Sequence, residues 1–126
     1  MIAITRSGTI GRVNLVPKHM ENWIYSEHII RVIPASSDIA GYLYIWLNTD
    51  YGRAMIERYS YGAVIKEIDH KQLATMPIPV INDKQKTKKI NDLAIEANRL
   101  RSEAYYLEQE AIEDVNNLMS LNTMEE

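Results

Sequence analysis

The sequence predicts an α+β protein: a small mixed β-sheet and hairpin domain with short helices, then one long C-terminal helix built for an antiparallel coiled coil. Three observations carry that expectation. Asn82 to Met119 holds neither Gly nor Pro and is rich in Ala, Leu, Glu, Lys, Gln and Arg, all strong helix formers. Its apolar residues Ile90, Leu93, Ala97, Leu100, Ala104, Leu107 and Ala111 alternate steps of three and four, a heptad seam that slips once before Val115 and Leu118. Ahead of it, short apolar runs are divided by Gly, Pro and cap residues.

From the N-terminus, Ile2 to Thr5 reads as a strand without a lead-in, as though the chain began inside a sheet. Arg6-Ser7-Gly8-Thr9 is a turn, with Gly8 free to take positive φ. Ile10 to Val16 is expected to return as a second strand, with Gly11 at a bulge or close approach. Trp23 to Ile33 is expected to be a strand covered on both faces, ended by Pro34. Ser36, Ser37 and Asp38 offer an N-cap for a helix through Leu47, slightly weakened by Gly41. Asn48-Thr49-Asp50 caps a second helix to Tyr59.

Gly62 breaks the chain before a short strand expected at Ala63–Ile65. Asp69 caps a single turn through Leu73, and the prolines keep Met76 to Val80 extended. Asn82 with Gln85 has the spacing of a capping box for the long helix. The expected division is therefore residues 1–80 as a compact part, 82–120 as the long helix and 121–126 as a disordered tail. At about 1.5 Å per residue the helix is roughly 55 Å long, too long to be covered by so small a domain, so it must project.

Charge sharpens this picture. Lys84, Lys86, Lys88 and Lys89 crowd the start of the helix, and Glu108, Glu110, Glu113 and Asp114 crowd its end. The helix dipole prefers the reverse. An antiparallel twin would set basic start against acidic finish. Over the whole 126 residues the net charge is −3, which disfavours a freestanding nucleic-acid binder. Only residues 1–35 are net basic, with four Lys/Arg against two acids, so contact with a polyanion falls to the N-terminal portion.

The remaining composition excludes more than it assigns. With 46% apolar and 25% charged residues the chain is of ordinary globular type. No run approaches a membrane span, and the N-terminus lacks a signal-peptide layout. The absence of cysteine rules out disulfides and thiolate metal sites and fits a cytoplasmic protein. His19, His28 and His70 are too widely spaced for a local metal motif, so neither metal nor cofactor is expected. Phosphate-loop, dinucleotide and nucleophile-elbow motifs are all missing. What remains is the hairpin Thr5 to Arg12. Arg6, Ser7, Thr9 and Arg12, with Lys18 nearby, can donate to phosphates or base edges.

The order of the pieces then resembles a known family. Ile4-Thr5-Arg6-Ser7-Gly8-Thr9-Ile10-Gly11-Arg12-Val13 resembles the glycine-containing hairpin of the specificity (S) subunits of type I restriction-modification enzymes. Tyr42 to Thr49 with Tyr51-Gly52 resembles a helix of their target recognition domains. Tyr61 to Ile65, Met76 to Val80 and Gln85 resemble the exit from that domain, and Leu100 to Ile112 its conserved helix.

The resemblance implies a non-catalytic subunit that reads double-stranded DNA. Methylation would belong to partner methyltransferase (M) subunits using S-adenosylmethionine, and cleavage to a restriction (R) subunit. S subunits carry two recognition domains and two antiparallel helices. Set against that pattern, the chain is expected to hold one of each without the leading part of the domain, and a homodimer through the helix is expected to restore the pair. The alternative is a truncated scaffold that dimerises without reading DNA. The seam residues Ile90, Leu93, Ala97, Leu100, Ala104, Leu107 and Ala111 would pack that helix pair.

Overall fold

A computed structural model describes residues 1–122. The elements run β1 (Ile2–Thr5), β2 (Val13–Leu15), a 3-10 turn (Lys18–Met20), β3 (Ile29–Val32), α1 (Ser37–Asn48), α2 (Asp50–Arg58), β4 (Ser60–Tyr61), β5 (Glu67–Ile68), α3 (His70–Leu73) and α4 (Lys84–Asn122). This is the expected α+β arrangement, with one long helix closing the chain.

β1 is the central strand of an antiparallel sheet ordered β2-β1-β3, with Ile2 opposite Leu15 and Val32, and Ile4 opposite Val13 and Ile30. Side chains alternate along a strand, so Ile2 and Ile4 share one face. That face meets Leu47 of α1, Ile56 of α2, Ile68 of β5 and Leu73 of α3 to form the core. Burying an aliphatic side chain of this kind contributes about 1.5–3 kcal/mol, so these few residues carry much of the small domain. β4 and β5 form a separate two-stranded ladder.

The caps follow local chemistry. Ser36 Oγ accepts the Asp38 N–H at 3.1 Å and starts α1. Thr49 Oγ1 accepts the Gly52 N–H at 3.1 Å and starts α2. Asp69 Oδ1 accepts the Lys71 N–H at 2.7 Å and starts α3. The long helix departs from expectation here, because Asp83 and not Asn82 is its cap. Asp83 Oδ1 accepts the Gln85 and Lys86 N–H groups at 3.1 and 3.0 Å. The helix also runs to Asn122, beyond the expected 120. The rest of the expected tail, 123–126, lies outside the described residues.

Three strand expectations need correction. The second strand is Val13–Leu15, because Gly8 and Gly11 both take positive φ and curl Ile10 to Arg12 into the turn. The third is only Ile29–Val32. Residues 23–28 turn, with the Ile29 N–H donating to the Ser26 carbonyl at 3.2 Å, while Trp23 leaves the sheet to meet the edge of His19. Double coverage fails as well, since Arg31 and Ile33 are exposed. Ala63–Ile65 is a turn, with the pairing on either side of it at Ser60–Tyr61 and Glu67–Ile68.

The main contact of α4 with the domain is to α1, so α1 lies between the sheet and the long helix. The contact is polar and close. Asn91 Oδ1 accepts the Gly41 N–H at 2.8 Å, and both residues are buried. A Cβ at Gly41 would collide with the Asn91 carbonyl oxygen and press on Ala94 Cβ at 3.0 Å. Gly41, expected only to weaken its helix, is what lets the two helices cross. Farther along, Asn98 Nδ2 donates to the Val16 carbonyl at 3.2 Å, and Ser102 Oγ accepts the Lys18 N–H at 3.0 Å. His19 stacks on Tyr105 with ring centroids 4.2 Å apart.

The apolar seam faces the other way. Leu93 is 63% exposed, Leu100 49% and Leu107 60%, and Ala97, Ala104 and Ala111 are exposed beside them. Ile90 alone is partly covered. From Glu110 to Ser120 every residue of α4 is exposed.

Candidate nucleic-acid interface

The β1–β2 turn is held by Thr5. Its hydroxyl donates to the Thr9 carbonyl at 2.6 Å and accepts the Arg12 N–H at 2.9 Å. Its backbone closes the loop through Gly11 N–H to Thr5 carbonyl at 2.9 Å. Gly11 lies against α2, where a Cβ would stand 3.2 Å from Ile56 Cγ2. The turn is thus seated on a helix, and Thr9 and Arg12 are presented to solvent from a fixed frame.

Arg6 and Ser7 continue β1 past its paired length and join both sheets. The Arg6 N–H donates to the His28 carbonyl at 2.7 Å, and the Arg6 carbonyl accepts the Ile68 N–H at 2.9 Å. Ser7 bridges Glu67, and its hydroxyl lies 2.6 Å from His28 Nδ1. Beside them the Tyr61 hydroxyl donates to Glu67 Oε2 at 2.9 Å. That bond to a carboxylate raises the phenol above its ordinary range, with the Arg6 guanidinium pulling the opposite way. Arg6 Nε is buried without a hydrogen-bond partner among the described residues.

Four of the five residues singled out from the sequence therefore gather at one end of the sheet: Arg6, Ser7, Thr9 and Arg12. Lys18 does not join them. The chain returns along β2, the Val16 N–H meets the Met1 carbonyl at 3.0 Å, and Lys18 follows at the opposite end against α4. Sequence reasoning missed Arg53, which lines one shallow groove with Arg12, Asn48 and Glu57. No local pattern links Arg53 to the hairpin; only the seat of Gly11 on Ile56 brings α2 there.

The long helix settles part of its own charge. Lys86 pairs with Asp83 at 3.3 Å, Lys88 pairs with Asp92, and Arg99 lies 2.8 Å from both Glu96 and Glu103. Among the described residues, Lys84 and Lys89 near its start and Glu108, Glu110, Glu113 and Asp114 near its end make no ion pair. No group of three or more His, Cys, Asp or Glu among them could hold a metal ion, and no described helix is long and apolar enough to cross a membrane.

A two-ended arrangement results, with the arginine-bearing turn at one end of β1 and, near the other, Val16 and Lys18 hydrogen-bonded to the long helix. No curated protein and no solved structure matches the chain. The family model described as type I restriction modification DNA specificity domain matches residues 1–94. The match covers every element before α4 and ends at Ala94, which is buried beside Gly41. The chain belongs to the family of type I restriction modification DNA specificity domains.

Proposed function

We propose that the chain is the sequence-reading component of a type I restriction-modification system. It binds double-stranded DNA with Arg6, Ser7, Thr9 and Arg12, and performs no chemistry of its own. Residues 1–80 act as the reader, and the helix from 82 onward acts as spacer and dimer contact. Methyltransferase and restriction subunits dock on the assembly in the cytoplasm and carry the reactions. The observation that supports this most is the gathering of the two arginines and two hydroxyls on the turn end of β1, away from the helix.

A second copy is the occupant proposed for the outer face of α4. An exposed seam of Leu and Ala at heptad spacing, with unpaired cations at its start and unpaired acids at its end, complements itself when run antiparallel.

The DNA reading is tested by anisotropy titrations at several salt concentrations, with methyltransferase subunits present. The Arg6→Ala/Arg12→Ala variant is expected to bind about 10–100-fold more weakly. If both arginines contact phosphate, the slope of log K against log salt falls by about 2. Unchanged affinity and slope would remove this turn from the DNA interface.

A further inference from the structure

The β4–β5 turn, Gly62 to Lys66, has no part in the core. Val64 is 96% exposed and Ile65 64%, two branched aliphatic side chains held in water at the tip of a tight turn. Its first residue is nonetheless constrained. Gly62 has φ +99°, and a Cβ there would strike the Ile65 carbonyl oxygen, so the backbone shape depends on glycine. Ser60 pairs with Ile68 and Tyr61 with Glu67 beneath the tip, and the Tyr61–Glu67 hydrogen bond ties the two strands again.

Its direction follows from pairing. Ser7 bridges Glu67 antiparallel, and the Ile68 N–H donates to the Arg6 carbonyl. The chain that leaves Ser7 toward Gly8 therefore heads to the side from which Ile65 and Lys66 approach Glu67. Both turns project from one end of the molecule, with Arg6 at the root of each. The second tip carries Lys66, has Arg6 at its root, and is apolar where it is most exposed.

We propose that this turn is a second reading element, in which Val64 and Ile65 contact thymine methyl groups in the major groove beside the bases or phosphates met by Arg6. The inference rests on the DNA-reading function proposed above. A thymine methyl is the one apolar group on a base edge, and short aliphatic side chains meet it without leaving a polar group unpaired. The neighbouring cations and the shared root with the first turn favour DNA over a protein partner.

The test uses the full chain, with co-expressed methyltransferase subunits, and a pool of duplexes randomised at the centre. Bound duplexes are sequenced for wild type and for Val64→Ser/Ile65→Ser, whose exposed positions leave the melting temperature unchanged. The expected result is a wild-type motif with at least one A·T position at which the variant loses preference. Replacing thymine by deoxyuridine at that position should weaken wild type about 4-fold per methyl lost, and leave the variant unaffected.

A wild-type motif shared in full by the variant overturns the inference while sparing the DNA-reading function. So does a variant with an unchanged motif that no longer retains the methyltransferase subunits, which would make the turn a protein-docking element. Equal sensitivity of both proteins to deoxyuridine also overturns it. If wild type enriches no motif at all, the DNA-reading function fails and this inference with it.

Discussion

Along α4, the face turned to the domain carries Asn91, Ala94, Asn98 and Ser102, whereas the face turned to solvent carries Leu93, Leu100, Leu107 and Val115. The two faces have the same helical period and opposite chemistry. On the inner face the residues are small or amide-bearing, and they satisfy backbone groups of Gly41, Val16 and Lys18 at close range. Helix α4 is held to its domain by hydrogen bonds and close approach, and its hydrophobic potential is left unspent on the outside. A surface helix normally turns its apolar stripe to its own core. The inversion is the physical reason to look for a partner.

The most disruptive way to break the comparison is to place a charge on the outer face. Leu100→Asp or Leu107→Asp is expected to weaken self-association by about 3–5 kcal/mol, because a carboxylate would be buried in the seam. Light scattering at several concentrations should show a monomer, while the free energy of unfolding of the isolated chain in urea changes by less than about 0.5 kcal/mol. A dimer that survives both substitutions would mean the seam is not the contact.

Next in size is a methyl group on the crossing itself. Gly41→Ala gains about 1 kcal/mol of helix propensity, yet the added carbon meets the Asn91 carbonyl and Ala94. A net loss of about 2 kcal/mol is expected in urea unfolding followed by circular dichroism. A neutral or stabilising result would show that α1 and α4 are less tightly crossed than described.

The smallest effect is at the start of α4. The Lys86 backbone N–H, with the Lys86 side chain and the Gln85 N–H helping, holds the Asp83 carboxyl below its ordinary range. A carboxyl depressed in the fold contributes fully above its unfolded value, and that contribution is lost as pH falls through the lower folded value. Acidification should therefore shift the Gln85 and Lys86 amide signals in NMR before global unfolding, and Asp83→Ala should abolish that step. Amides that titrate identically in the variant would reassign the cap.

The sequence announces features whose cause is local. Ser36, Thr49 and Asp69 cap helices because a side-chain oxygen two or three residues ahead of an N–H suffices, and the long helix follows from composition. The slip from Asn82 to Asp83 shows the limit, since adjacent residues offer the same chemistry. Trp23 to Ile33 shows another. Its alternating apolar residues serve two surfaces, with Trp23 turned to His19 and Ile30 to the core, so periodicity overstated the strand. The inner face of α4 was hidden for a similar reason, because a pattern weighted by hydrophobicity ignores Asn and Ser at helical spacing. At the candidate interface, Arg6, Ser7, Thr9 and Arg12 were visible as a motif, but Arg53 and the second turn are joined to them only by folding.

Because Glu110 to Ser120 stand clear of the domain surface, the outer length of α4 can be varied separately from the fold that anchors it. Whole turns could be inserted or removed there without touching Asn91, Asn98 or Ser102. In the proposed function the rod would act as an adjustable ruler, with its calibration independent of the part that reads.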